Sequence, residues 1–326
     1  ASIDRKFFES LNIEFLSYND IAGNIVHGII PEGENLNFAC KMLETLYKKK
    51  DEIGIFLAYM PDCDGDRGNV VYIEDGVAKI LKSQDVFALA VISEILHAKL
   101  NGKEKLAVVA NGPTSMLLDE ISNILNFNLV RSEVGEANVI SCADEMTKQG
   151  YTTRILGEGS NGGSIIPPSL VRDPINTLFA LLKFFLVSHN GMNLFNHWLK
   201  AKGEKQKEHF NFSDIVESLP HYSTTPVASD RAILKCRIEN CKEFRMSFQK
   251  NFLSEWQERF EHLKNTYGII SYKVFGYVGK NTIEITNDFS LTDKGGLKII
   301  FYGENDEKIA FIWMRASGTE PVFRIM

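Results

Sequence analysis

The sequence predicts an α/β protein: two βα-rich mixed-sheet units, the first partial, followed by a C-terminal α+β unit of antiparallel sheet and helix. From residue 1 to about 190, short apolar runs alternate with longer helical periods, the pattern of stacked βα units around a largely parallel or mixed sheet. AKGEKQKEHFN at 201–211 then breaks that pattern with a charged, loop-like stretch. Beyond it, one long helical period at 241–264 precedes five strand-like runs, which reads as a helix packed on an antiparallel sheet.

Taken in order, IEFLSY (13–18) and IGIFLAYM (53–60) read as strands flanking a helix over 35–50, where Leu36, Cys40, Leu43 and Leu46 or Tyr47 share one face. VVYIEDGVAKI (70–80) reads as a hairpin turning at Asp75-Gly76, and SQD (83–85) as the cap of a helix reaching about His97. KLAVVAN (105–111) is a strand, PTSMLLDEISNIL (113–125) a helix, NLVRSEV (128–134) a strand and TTRIL (152–156) another, ending in GEGSNGG (157–163). LFALLKFFLV (178–187) reads as a buried helix, with Asn190-Gly191 as its C-cap. The expected divisions are a partial α/β unit at 1–82, a second α/β unit at 83–200, a linker at 201–240 and an α+β unit at 241–326.

Composition narrows the function. At 326 residues, 44% hydrophobic and 24% charged, the chain has material for two or three folded domains. A formal charge of −6 offers no overall basic surface for nucleic acid, and the greasy run at 178–187 is about half of what a bilayer needs. Five cysteines without a C-x-x-C pair suggest neither a disulfide framework nor a zinc site, so a reducing, cytoplasmic setting is expected, with no membrane or nucleic-acid partner. Oligomeric state is not readable. The start, ASIDRKFFES, has no apolar signal core and reads as the middle of a fold.

Three loops carry chemistry. In PDCDGDR (61–67), Asp62, Asp64 and Asp66 stand at i, i+2 and i+4, so at a strand end their carboxylates can converge on one hard cation, Mg²⁺ being the natural candidate. An EF-hand fits poorly, because its sixth and twelfth positions would be Arg67 and Ile73. An acidic, solvated turn is the plain alternative; Arg67 tips the balance, since a guanidinium there can hold a phosphate that also touches the metal. In GEGSNGG, Glu158 and Ser160 offer an acceptor and a donor-acceptor suited to paired sugar hydroxyls, although a glycine-rich turn accounts for the same residues. In RASGTEP (315–321), the Arg315 fork, the Ser317 and Thr319 hydroxyls and main-chain N–H groups around Gly318 make an anion nest, with Arg324 as an additional charge; a plain hairpin turn is the alternative.

In that order the three motifs resemble the α-D-phosphohexomutase family of phosphoglucomutases and phosphomannomutases, and PEGENL (31–36) sits where members carry a similar stretch. The resemblance covers essentially the whole chain and implies the later part of the family's second domain, then its third and fourth. It implies an enzyme interconverting hexose 1-phosphate and hexose 6-phosphate, in which a phosphoserine exchanges its phosphoryl group with the sugar through a hexose 1,6-bisphosphate. Asp62, Asp64 and Asp66 would bind Mg²⁺, and Arg67 would stand at the transferring phosphoryl as the catalytic group within this chain. Glu158 and Ser160 would hold sugar hydroxyls; Arg315, Ser317, Gly318, Thr319 and Arg324 would grip the non-reacting phosphate of the hexose phosphate substrate.

The sequence also departs from the family. Members carry the serine in a Thr-Ala-Ser-His-Asn-Pro-like loop ahead of the metal loop, and none of the 61 residues before Asp62 resembles it. Ser188-His189-Asn190 follows the sugar loop and has no proline after it, so Ser188 is not assigned as nucleophile. The expectation is a portion without its phosphoserine, inactive alone. Cys63 replaces a small residue, Asn161 lengthens the sugar loop, and Glu136 and Ala137 stand where members often have a basic residue on substrate phosphate. Glucose, mannose and amino-sugar phosphates stay open as substrates. The rivals are a catalytically silent sugar-phosphate-binding module and a Mg²⁺-dependent phosphatase with Asp62 as nucleophile. His27, His97, His197 and His221 receive no role.

Overall fold

The computed structural model describes all residues except 1, 13, 14, 22, 27, 29, 50–56, 63, 161, 228, 236–239, 293, 294 and 318–320. Cys63, Asn161, His27 and the Gly318-Thr319 pair of the third motif therefore lie outside the described residues.

The chain opens with α1 (Ser2–Ser10) and α2 (Asn37–Tyr47), followed by β1 (Leu57–Pro61), β2 (Gly68–Glu74) and β3 (Val77–Ile80). These strands form an antiparallel sheet in the order β1-β2-β3, so the first unit is antiparallel within the described residues rather than a parallel βα repeat. Its core packs Leu36 and Leu43 against Met60, Val71 and Ile73. The β2–β3 turn falls at Asp75-Gly76, both with positive φ (51° and 81°), as a type I′ hairpin requires. The strand expected at 13–18 does not form over 15–18; Phe15 instead stacks on Phe8 at 4.7 Å between ring centroids, and Phe8 in turn lies against Phe179.

The second unit runs α3 (Ser83–Leu100), β4 (Leu106–Asn111), α4 (Leu117–Leu125), β5 (Asn128–Ser132), α5 (Glu136–Lys148), β6 (Thr152–Glu158), β7 (Gly163–Ile165) and α6 (Pro174–Leu186). The sheet order is β5-β4-β6-β7, with β4 parallel to β5 and β6, and β7 antiparallel to β6. Alternation along β4 explains its wholly apolar run: Ala107 and Val109 face Val139, Cys142 and Met146 of α5, while Val108 and Ala110 face the core of α3, α4 and α6. Phe87, Phe184 and Trp198 are fully buried there, each stabilising the fold by roughly 1.5–3 kcal/mol. α3 begins one residue earlier than a serine cap predicts: Lys82 is its N-cap and no side chain caps it.

α6 stops at Val187, whose backbone is extended. Asn190-Gly191 is not a helix cap but the turn of a two-stranded hairpin, β8 (Ser188–His189) with β9 (Met192–Asn193), with φ of 51° and 76°. Ser188 and His189 are exposed on it. α7 (Leu194–Lys202) and α8 (Phe212–Glu217) follow. Within the expected linker, Phe212, Ile215 and Leu219 are buried in the same core as Phe184, and Asn211 with Asp214 forms a capping box.

After β10 (Ile233–Leu234) comes α9 (Cys241–Tyr267), then β11 (Ser271–Val278), β12 (Asn281–Ile285), β13 (Gly296–Tyr302), β14 (Lys308–Ala316) and β15 (Phe323–Ile325). They build a six-stranded sheet in the order β10-β15-β14-β13-β11-β12, antiparallel throughout. Phe244, Phe248, Phe252 and Trp256, spaced by one helical turn, lay one face of α9 on Val274, Ile299, Phe301 and Met314. The mixed α/β class with a C-terminal antiparallel unit is thus what the sequence predicts. Among the described residues no helix is long and apolar enough to cross a membrane.

Candidate active site

The metal-loop residues sit between β1 and β2. Pro61 pairs with Gly68, and Asp62 N–H donates to Arg67 O at 2.9 Å, closing the neck of a six-residue loop. Gly65 at φ +72° supplies the left-handed turn. The result brings carboxylate oxygens of Asp62, Asp64 and Asp66 within 4.8 Å of one another. Asp62 is buried, Asp66 half-buried and Asp64 exposed.

Two arginines meet these carboxylates. Arg67 Nε donates to Asp62 Oδ2 at 2.7 Å, and its backbone N–H to Asp62 Oδ1 at 3.3 Å. Arg172, from the other unit, donates through Nη2 to Asp66. Burial pushes the Asp62 carboxyl up, but the hydrogen bonds from Arg67 outweigh it and hold it below its usual range. Asp66 is instead raised, by burial and by the charges of Asp62 and Asp64, against the pull of Arg172. Three carboxylates crowded this way, one of them reluctant to ionise, form a donor set that fits a hard divalent cation such as Mg²⁺.

The sugar-loop residues stand at the carboxyl ends of the parallel strands, where open α/β sheets place their ligand crevice. Asn111 ends β4, Glu133 follows β5 and Glu158 ends β6. Glu158 is 6% exposed; its Oε1 accepts from Asn111 Nδ2 at 3.1 Å and from Gly135 N–H at 2.9 Å. Asn111 Nδ2 also reaches Ser160 Oγ at 3.2 Å. Thr114 completes the frame, accepting from Gly159 N–H at 3.0 Å and donating to Asn111 Oδ1 at 2.6 Å. A Cβ on Gly157 would lie 2.2 Å from Gly163 O, so this turn closes only with glycine there.

Arg172 joins the two loops. It precedes Asp173, whose side chain caps α6 by accepting from Ile175 N–H (2.9 Å) and Asn176 N–H (3.2 Å) ahead of Pro174. Besides Asp66, its guanidinium faces Glu158 at 4.0 Å and Glu136 at 3.8 Å, and its backbone N–H donates to Glu136 Oε1 at 2.7 Å.

The third motif opens at the end of β14. Arg315 Nη2 lies 3.4 Å from Glu133 Oε1, which places it beside the second unit. Ser317 N–H is spent on Val322 O at 2.9 Å, so this amide does not contribute to the expected anion nest. Arg324, cross-strand from Arg315, donates through Nη1 to Val227 O at 2.9 Å; that bond ties β15 to the 220s segment. The structure thus brings Asp62, Asp64, Asp66, Arg67, Glu158 and Ser160 together. Arg172, Asn111 and Glu133 were not singled out by the motifs, and Glu136 only as a departure from the family; the place of Asn111 and Glu133 at the ends of parallel strands is the signal that finds them.

Residues 84–199 match the family model of the phosphoglucomutase/phosphomannomutase alpha/beta/alpha domain III, the segment that folds here from α3 to α7. Among solved structures, the chain is similar to a phosphoglucomutase/phosphomannomutase family protein from Burkholderia thailandensis, at 16% identity and TM-score 0.57, over 99% of this chain and 52% of that one. It is similar to pp63/parafusin, a phosphoglucomutase of Paramecium in its open form, at 17% identity and TM-score 0.50, over 90% and 44%. At these identities the likeness is one of fold, and the chain spans about half the length of each protein. No curated protein matches the chain. The fold is that of a phosphohexomutase. Together with the sequence match over 84–199, it supports the α-D-phosphohexomutase assignment made from the three motifs.

Proposed function

We propose that the chain forms the sugar-phosphate cleft of a phosphohexomutase, interconverting hexose 1-phosphate and hexose 6-phosphate through a bisphosphate intermediate. The observation that carries this reading is Arg172, which reaches Asp66 of the metal loop and Glu158 of the sugar loop from one side chain. Two motifs far apart in sequence are therefore joined through one side chain, which supports reading them as one site.

In this reading Asp62, Asp64 and Asp66 hold Mg²⁺, which when bound neutralises charge on the transferring phosphoryl group. Arg67 and Arg172 add donors to the same phosphoryl. Glu158 and Ser160, kept in place by Asn111, accept and donate to sugar hydroxyls. Arg315 and Ser317, with Gly318 and Thr319 of the same motif, hold the distal phosphate, and Arg324 fastens their strand. Positioning and charge stabilisation are what phosphoryl transfer chiefly demands. The donor is a phosphoserine, which none of the motifs in these residues supplies. The test follows glucose 1-phosphate to glucose 6-phosphate in the natural full-length protein with the bisphosphate primer and Mg²⁺. Turnover is expected, and its loss in Asp64→Ala and Arg315→Ala; unchanged rates in both variants refute the site, and release of free phosphate favours a phosphatase.

A further inference from the structure

Arg315 is not simply waiting for a phosphate. Glu133 is fastened to the β11–β12 turn by two bonds: its N–H donates to Gly279 O and its Oε2 accepts from Gly279 N–H, both at 2.8 Å. That grip aims the other carboxylate oxygen, Oε1, at Arg315 Nη2, 3.4 Å away. Both side chains are largely withdrawn from water, at 16% and 26% exposure, so their attraction is little screened. Arg315 Nε, among the described residues, is buried without a hydrogen-bond partner. The guanidinium therefore faces one carboxylate while a second donor is unspent, and an unspent buried donor favours any anion that satisfies it.

A carboxylate and a phosphoryl group present paired oxygens to a guanidinium in the same fork geometry. Two anions competing for the same Nη2 donor repel each other. We propose that Glu133 is an internal anion that occupies Arg315, and that a phosphoryl ligand binds there by displacing it, so that Glu133 sets the affinity of this end of the cleft. The same segment carries Glu136, which holds Arg172 in a parallel arrangement. This inference rests on the reading of Arg315 as a phosphate-holding group.

Glu133→Gln is the informative variant, because a glutamine oxygen still accepts from Gly279 N–H and the backbone bond is untouched; only the charge facing Arg315 goes. The first readout needs no sugar phosphate: the rate at which phenylglyoxal modifies Arg315, followed by peptide mass spectrometry. The second is calorimetric titration with glucose 1-phosphate. Modification several-fold faster in Glu133→Gln is expected, with affinity tightened on the order of tenfold, as loss of one weakly screened like charge implies. In Glu133→Gln/Arg315→Gln that gain is expected to disappear. An unchanged modification rate, or equal or weaker binding by Glu133→Gln, overturns the inference. Faster modification with no glucose 1-phosphate binding by either protein upholds Glu133 as the occupant and overturns the sugar-phosphate reading instead.

Discussion

Asp119 shows how charge is placed in this molecule. It lies on α4 and accepts from Arg131 Nη2 at 2.6 Å and from Lys308 of the C-terminal unit. Burial alone would raise its pKa, yet Arg131 and Lys308 hold it well below the ordinary 3.8. A carboxylate whose folded pKa is depressed contributes stability that is fully present above its unfolded value and is lost as pH falls through the folded one. Asp119→Asn is therefore expected to cost about 3 kcal/mol at pH 7, since it leaves Arg131 without its charge partner. The gap from wild type should be constant from pH 7 to about 5 and begin to narrow as pH falls below about 4, and thermal melts of both proteins from pH 7 to pH 3 measure it. The metal-loop aspartates were legible one by one, because a period-two carboxylate run needs only a local backbone. Their partners were not: Arg172 stands 106 residues from Asp66, and no local pattern encodes that meeting.

At the scale of elements, the sequence marked most strands and helices and misread those whose signals are shared by two structures. KLAVVAN announced a strand, and the long helical period at 241–264 ahead of five strand-like runs announced a helix on a sheet. Asn-Gly at 190–191 suits both a left-handed helix cap and a type I′ turn; the pairing of Ser188 with Asn193 decides for the turn. α5 was not anticipated, since only Val139, Cys142, Ala143 and Met146 carry its buried face amid polar neighbours. The β6–β7 turn offers the direct test at this scale. Gly157→Ala would set a methyl 2.2 Å from Gly163 O and 3.0 Å from Phe87. A loss of roughly 1–3 kcal/mol in urea unfolding is expected from such overpacking, together with weakened sugar-phosphate binding, because Glu158 moves with the turn.

At the scale of the whole molecule, the C-terminal sheet docks on the carboxyl ends of the parallel strands. Lys298, fully buried on β13, donates to Gly112 O at 2.8 Å and lies 4.0 Å from the centre of the Phe311 ring. Burial pushes its ammonium well below the usual lysine range. Thr282 Oγ1 donates to Arg131 O at 2.8 Å, and Lys280 meets Glu145 at 3.0 Å. Gly112 leads into the Thr114 hydroxyl, which holds Gly159 N–H and Asn111, so the docked sheet and the loop carrying Glu158 share one support. In the proposed reaction this docking brings Arg315 to the far end of the sugar while the aspartates hold the near end. The central claim is that these loops make one site for a doubly phosphorylated hexose. Calorimetric titration of this chain with glucose 1,6-bisphosphate in the presence of Mg²⁺ tests it most directly. One-to-one binding is predicted, weakened about tenfold or more in Arg315→Ala and in Asp64→Ala, the effect of losing one charge-assisted contact or one metal ligand. Absence of binding, or equal affinity in both variants, would contradict it.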